Sequence, residues 1–145
     1  MPDLAENKRA RFDYEILETY EAGIELLGFE VKAIRAGRLN LSGSYVIIRG
    51  DEAYLINADL PPYQAYNTPT DYDSKRTRRL LLNKAEIKEL VGKNREARLT
   101  IIPLNVYTKG RLIKLKIGLG RSKKKSDKRE TIKKRDVERE MRRAV

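Results

Sequence analysis

In residues 111–119, Ile113, Leu115, Ile117 and Leu119 alternate with Lys114, Lys116 and Gly118. A strand turns successive side chains to opposite faces, so this spacing predicts a strand with one apolar and one cationic face. Residues 99–107 are mostly apolar and reach it through Lys109-Gly110, which predicts the strand before it. Pro103 has no N–H for a ladder and places an edge or a bulge there. Residues 44–49 and 53–58 flank Gly50-Asp51-Glu52 and read as a hairpin. Residues 12–20 mix aromatic and β-branched side chains without a breaker and read as the first strand, after a polar, loose stretch over residues 1–11.

The period changes over residues 22–36. Ile24, Leu27, Val31 and Ile34 fall on one face of a helix, with Lys32 and Arg35 off that face. Gly37 follows as a helix-ending glycine should, and Gly28 inside costs about 1 kcal/mol against Ala. Asn83 and Glu86 have capping-box spacing, with Leu82 and Ile87 placed to staple the turn. Ile87, Leu90 and Val91 give a short apolar face that Gly92 is expected to end. Between the hairpin and this helix, residues 59–79 are rich in Pro, Asn and Asp and read as a long functional loop. Short strands with two separated helices predict a mostly β, α+β protein. The expected form is an OB-like closed six-stranded antiparallel β-barrel with peripheral helices.

Composition narrows the chemistry. The chain has 145 residues with no Cys and no His, which removes disulfides, thiolate chemistry and the commonest general base and metal ligand. No metal and no cofactor is expected. No apolar run approaches the roughly 20 residues of a membrane span, and Met1 to Arg9 lacks the apolar stretch of a signal peptide. The expectation is a soluble, cytoplasmic protein without a membrane partner.

Charge then divides the chain. Residues 121–145 hold 12 Lys/Arg against 5 Asp/Glu, so they carry +7 of the formal +11. The predicted organisation is an RNA-binding barrel domain over residues 1–120 and a flexible basic tail over 121–145. Such a distribution is the footprint of a protein that works on a polyanion, RNA above all. Residues 131–143 are rich in helix formers, and Glu138 and Arg142 are spaced for an i, i+4 pair. With so little apolar area the tail is expected to be disordered when free and helical against RNA. The plainer alternative is a solubilising end.

A second basic cluster is Lys75, Arg76, Arg78 and Arg79, four like charges in five residues. These repel unless an anion joins them, either a phosphate gripped by the arginine forks or the nearby Asp71 and Asp73. Lys32 and Arg35 form a third, smaller cluster. Tyr63, Tyr66 and Tyr72 interleave with the basic loop at positions suited to stacking on bases. No catalytic constellation stands out. Glu18, Glu21 and Glu25 straddle a strand-to-helix change, and Gly118-Leu119-Gly120 is too short for a phosphate loop. The chain is not expected to be an enzyme.

Several stretches together resemble a known family. They are Asn7-Lys-Arg-Ala-Arg, Tyr14-Glu-Ile-Leu-Glu-Thr-Tyr-Glu-Ala-Gly-Ile, Leu27-Gly-Phe-Glu-Val-Lys-Ala-Ile-Arg-Ala-Gly, Arg76-Thr-Arg-Arg-Leu-Leu-Leu-Asn-Lys, Ile101-Ile-Pro-Leu and Lys123-Lys-Lys-Ser-Asp-Lys-Arg. In order and spacing they resemble the small protein B family, the SsrA-binding proteins of bacteria, from about Asn7 to the tail. The resemblance implies a factor for trans-translation without catalysis of its own. Such a factor binds the tRNA-like domain of transfer-messenger RNA and brings it to stalled ribosomes, with elongation factor Tu as an indirect partner. It implies RNA contacts at Asn7, Glu21, Leu81 and Asn83, assisted by Lys8, Arg9, Lys32 and Arg35. The tail motif matches Lys123, Lys124, Asp127, Lys128 and Arg129, which the resemblance sends into the empty decoding centre and message channel of the small subunit. Ser126 stands where the family usually carries an aromatic or His, Ser122 where it carries Gly, and Ser74 where it carries Pro.

The resulting expectation is an RNA-binding ribosome-rescue factor. Two rivals stand beside it: a generic tRNA- or rRNA-binding OB-fold protein, and a carboxylate-dependent nuclease or RNA-modifying enzyme.

Overall fold

The structure is a computed structural model that describes residues 3–64, 68–97 and 99–123. Tyr66, the tail residues Lys124, Asp127, Lys128 and Arg129, and the helix expected in residues 131–143 lie outside the described residues. The elements run β1 (Ala5–Glu6), α1 (Lys8–Asp13), β2 (Tyr14–Ile24), α2 (Gly28–Arg35), β3 (Tyr45–Arg49), β4 (Glu52–Ile56), β5 (Arg78–Leu81), α3 (Lys84–Ala97), β6 (Thr100–Lys109) and β7 (Leu112–Ser122).

All strands join one antiparallel, seven-stranded sheet in the order β1-β6-β7-β2-β5-β4-β3. The fold is mostly β with helices, as the alternation predicts. The six-stranded closed barrel is not what the described ladders form. A seventh strand, β1, pairs with β6 through Ala5↔Val106 and Glu6↔Asn105, and the bonded order ends at β3 without returning to β6. β3 does come close to β6, where Val46, Ile47 and Ile48 share a cavity with Thr100 and Ile101. β1 thus takes part of the outer edge of β6 that a closing ladder would use.

The inward face is apolar for the reason the period-two pattern suggests. Ile113, Leu115, Ile117 and Leu119 of β7 meet Ala22, Val46, Leu55, Leu80, Ile101 and Val106, with Ala33 and Ile34 of α2 against them. Pro103 sits at a register break between Pro103 and Asn105, the bulge its missing N–H calls for. The break turns Val106 rather than Asn105 inward, while Ile102 and Leu104, two residues apart, pack on the opposite face of the sheet, under α1, with Ala10, Tyr14 and Ile16. Gly118 and Gly120 make this second core possible. A Cβ on Gly118 would lie 2.9 Å from Leu104 Cδ1, and one on Gly120 would lie 2.7 Å from Ile102 Cδ1.

The local signals are partly obeyed. The chain reverses between β3 and β4 at Gly50, whose φ is +64°. At the end of α2, Gly37 N–H bonds Ile34 C=O at 2.9 Å and Arg38 N–H bonds Ala33 C=O at 3.1 Å, a Schellman closure with Gly37 at φ +76°. That helix starts at Gly28 rather than in the expected stretch from residue 22, because β2 keeps pairing through Ile24, opposite Leu80 of β5. Glu30 then accepts the Leu27 N–H at 2.9 Å and sets the helix start. Residues 1–11 were expected to be loose, yet they include β1 and most of α1. α3 runs through Gly92 to Ala97, so that glycine does not end it. β7 reaches Ser122, and Lys123 N–H bonds Asp13 C=O at 2.9 Å, so the sheet continues past residue 120.

Candidate nucleic-acid interface

The outer face of the sheet divides into a covered and an open half. α1 and its small core cover the half around Gly118 and Gly120. In the open half, one row crosses four strands: Leu81 opposite Gly23, Gly23 opposite Lys114, Lys114 opposite Tyr107. The next row is Glu21 opposite Lys116 and Lys116 opposite Asn105. The face therefore exists because β7 alternates Lys with apolar residues. Leu81 is 49% exposed and lies over Gly23, filling space a side chain there would take. In an antiparallel pair, moving from Gly23 back to Glu21 moves from Leu81 on to Asn83, so Glu21, Leu81 and Asn83 converge at one end of this ladder.

Glu21 is not a lone carboxylate among cations. Tyr107 Oη donates to its Oε2 at 2.5 Å, and Lys109 Nζ lies 3.3 Å from Oε1. The Tyr107 bond, with Lys109 and Lys114 assisting, lowers the Glu21 carboxyl below its ordinary range. Partial burial and the bond to Glu21 push the Tyr107 phenol up to about 12. The Lys116 ammonium stands 6.0 Å from the Tyr107 ring centroid. Tyr107 and Lys109 carry no sequence signal of their own; Lys114 and Lys116 were legible as the polar face of β7.

Asn7 is buried and internally spent. Its Oδ1 accepts Ala10 N–H at 3.2 Å, and its Nδ2 donates to Pro103 C=O at 2.9 Å. It anchors α1 to the β6 bulge and so presents Lys8 and Arg9, both exposed. Arg9 pairs with Asp13 at 3.0 Å and lies over the Phe12 ring. Lys32 is exposed on α2, and Arg35 Nη2 donates to Arg111 C=O at 3.1 Å, which brings the basic end of α2 to the β6–β7 turn beside Lys109. Asn83 is exposed and caps α3: Glu86 N–H bonds its Oδ1 at 2.8 Å and Asn83 N–H bonds Glu86 Oε1 at 3.2 Å.

The arginine-rich stretch goes elsewhere. The anion that joins Arg76 and Arg78 is Glu30 of α2, neither a phosphate nor Asp71 or Asp73. Arg78 is 1% exposed, and its Nε and Nη2 lie 2.9 and 2.7 Å from Glu30 Oε2. Its remaining N–H groups go to Ala58 C=O, Arg76 C=O, Ser74 C=O and the Tyr72 hydroxyl. Nothing on Arg78 is left for RNA. Arg76 forks onto Glu30 as well, through Nη2 and through Nε at 3.1 Å. Burial alone would raise the Glu30 carboxyl, but Arg76, the Leu27 N–H and Arg78 outweigh it and bring it down to about 2. Tyr72 completes the cluster and packs edge-on against Phe29 at 4.8 Å, so it is no stacking platform. The cluster ties the long loop to α2. Of the three arginines, Arg79 stays outside, shared between Glu25 at 3.6 Å and Glu52 at 3.2 Å. Exposed pairs of this kind contribute about 0–1 kcal/mol, so a phosphate can replace them. Tyr63 is 48% exposed with the Arg38 guanidinium over its ring.

Among the described residues, no cluster of Asp and Glu is arranged as a metal-ligand set, and no helix is long and apolar enough to cross a membrane.

Comparison with known proteins places the chain among relatives over nearly its whole length. Residues 4–145 match the family model described as SmpB protein. The chain is 52% identical to the SsrA-binding protein of Gloeothece citriformis over 142 residues, 98% of this chain and 92% of that one. It is 53% identical to the SsrA-binding protein of Mesoplasma florum over 136 residues, 94% of this chain and 91% of that one. A solved structure described as "tmRNA-SmpB: a journey to the center of the bacterial ribosome" contains a chain that aligns with a TM-score of 0.67 and 44% identity. That alignment covers 88% of this chain and 92% of the other.

Proposed function

This chain belongs to the SmpB family, and from that membership we infer that it binds SsrA, the transfer-messenger RNA, and works with it on the ribosome in trans-translation. The observation that carries the reading is the match over residues 4–145, which spans both the folded body and the cationic tail. Binding alone is required; no chemical step falls to this chain. Its place is the cytoplasm, where ribosomes work.

The body takes the tRNA-like domain. Lys8, Arg9, Lys32, Arg35 and Arg79 neutralise phosphates and release counterions, which makes the affinity fall with salt. Leu81 offers an apolar surface for an unstacked base, and Glu21 and Asn83 offer hydrogen bonds to base edges and 2′-hydroxyls. Asn7, Arg76 and Arg78 act behind this surface by holding α1, the long loop and α2 in place. The support for this division is the burial of Asn7 and Arg78 and the hydrogen bonds that all three spend within the protein.

The tail, with Lys123, Lys124, Asp127, Lys128 and Arg129, enters the empty decoding centre and message channel. Elongation factor Tu meets the complex through the RNA. Joint Lys128→Ala and Arg129→Ala substitution is expected to leave affinity for the tRNA-like domain within about twofold, well under the 1.4 kcal/mol that a tenfold change represents, while abolishing tagging of stalled peptides in a reconstituted translation system. Equal loss in both assays would refute separate roles for body and tail. Ordinary tRNA competing as well as transfer-messenger RNA would refute the RNA assignment.

A further inference from the structure

The cationic tail does not leave the body from a loose end. β7 stays paired with β2 to its last residue, with Arg121 opposite Glu15 and Ser122 opposite Tyr14. Arg121 Nη2 also donates to Glu15 Oε2 at 2.8 Å. One residue further on, Lys123 N–H donates to Asp13 C=O at 2.9 Å. Asp13 is the last residue of α1, and the N–H of Tyr14 after it closes that helix on Ala10 C=O. The Asp13 carboxylate accepts Arg9 Nε at 3.0 Å, which ties the same residue back to the preceding turn. At its other end α1 is held to the β6 bulge by Asn7. The root of the tail is thus clasped between α1 and three strands.

The length of chain beyond the clasp makes its direction matter. Arg129 follows Lys123 by only six residues, so even a fully extended chain carries it no more than about 20 Å away. A flexible chain of that length spans about 13 Å on average. On so short a leash, the side of the body that the cations reach is decided by where the first peptide bonds point. The clasp also lies well away from the open face of the sheet. Arg121 is separated from Lys116 by five residues of β7, about 17 Å of strand. A change at the clasp can therefore alter the tail without altering that face.

We propose that Asp13 and Lys123 are positioning residues for ribosome rescue: their backbone bond, at the end of the β2–β7 ladder, aims the tail. The proposal rests on the reading that the tail enters the message channel, and adds to it what points the tail there. Neither backbone group touches RNA in this role. Both act through the direction they give to the residues that follow. The exposed Arg121–Glu15 pair is weak on its own, so the backbone bond and the ladder behind it carry the clasp.

The test uses the full-length protein, the tRNA-like domain and stalled ribosomes. Lys123 is replaced by its α-hydroxy analogue, which keeps the side chain and puts an ester oxygen where the N–H stood. It is also replaced by Pro, which lacks the N–H and suits an extended residue before it, and by Ala, which keeps the N–H. The ester form is expected to tag stalled peptides about threefold or more slowly, the scale of one neutral hydrogen bond. Its affinity for the tRNA-like domain should stay within about twofold, well short of the 1.4 kcal/mol of a tenfold change. Lys123→Pro is expected to tag more slowly than Lys123→Ala by a similar factor. The chain has no Cys, so Thr131→Cys offers a single tether for an iron chelate that cuts nearby ribosomal RNA. Those cuts should spread over more nucleotides in the ester form than in the unchanged backbone. Full tagging with unchanged cuts in the ester and proline forms would overturn the proposal. So would a loss of RNA affinity in step with tagging, because the bond would then merely support the fold. Failure of the unchanged protein to tag at all would instead sink the ribosome-rescue reading itself.

Discussion

Glu30 and Arg78 meet at 2.7 Å with both side chains out of contact with water. One belongs to α2 and the other opens β5, so a single buried ion pair joins the helix that carries Lys32 and Arg35 to the strand that carries Leu81. Arg76 and Tyr72 converge on the same carboxylate. The RNA-facing groups on the two elements are thereby held in one arrangement, although the pair itself never reaches the surface.

Removing one member leaves a buried charge alone. Glu30→Ala is expected to cost about 3–5 kcal/mol, read as a lower urea midpoint with little change in slope. Replacing both, as Glu30→Leu with Arg78→Met, is expected to recover much of that loss, because no fully buried charge is left without a partner. Arg76 would then lose its partner but can reach water, being 28% exposed.

Acid should weaken the fold through the same group. The Glu30 carboxyl lies near 2 in the folded protein against an ordinary value of 4.5. Because the folded value is the lower one, the unfolded chain binds the proton first and stability rises with pH. The contribution, on the order of 3 kcal/mol, is complete above about pH 5 and is lost as pH falls through 4.5 toward 2. Denaturation midpoints measured from pH 7 down to pH 3 should fall more steeply for the unchanged protein than for Glu30→Gln.

Gly120→Ala should disturb the small core under α1. The new Cβ would stand 2.7 Å from Ile102 Cδ1 and 3.1 Å from Tyr14 Cβ, and the second of these is held close to the backbone of β2. A loss of about 1–3 kcal/mol is expected, visible as a drop in the thermal midpoint. The same substitution at Gly92, where nothing lies within 4 Å, should stabilise α3 instead by up to about 1 kcal/mol.

Asn83 serves α3 as well as the interface, and the two can be separated. Asn83→Ala is expected to cost about 1 kcal/mol of stability through the lost cap. Asn83→Asp keeps the acceptor for Glu86 N–H and should stay near the original stability, while its negative charge weakens RNA binding.

Salt reports phosphate contacts. Lys32→Ala and Arg35→Ala should each reduce the slope of log affinity against log salt by about 0.7–0.9 for the tRNA-like domain. Arg78→Met with Glu30→Leu removes no phosphate contact directly, so any loss of affinity there should come with a smaller change in that slope than either Lys32→Ala or Arg35→Ala gives.

The sequence by itself determined the strands whose register is local. The alternation of β7, the Gly50 turn, the Asn83–Glu86 cap, the Gly37 closure and the Pro103 bulge all depend on residues within a few positions of one another, and all are found. The excess of charge beyond residue 120 pointed to a polyanion, and the motif order pointed to the family, without any structure. What the tertiary structure alone decided is where side chains of distant segments spend their hydrogen bonds. Arg76 and Arg78 look like phosphate ligands until a carboxylate 46 and 48 residues away is seen to bind both. Glu21 looks out of place until Tyr107, 86 residues on, is seen to hold it. β2 outran its helical periodicity because pairing with β7 and β5 supplied ladder bonds through Ile24 that no local pattern encodes. A charged side chain's role is set by the nearest opposite charge or donor, and in a sheet built from strands far apart in the chain that neighbour is fixed only when the strands meet.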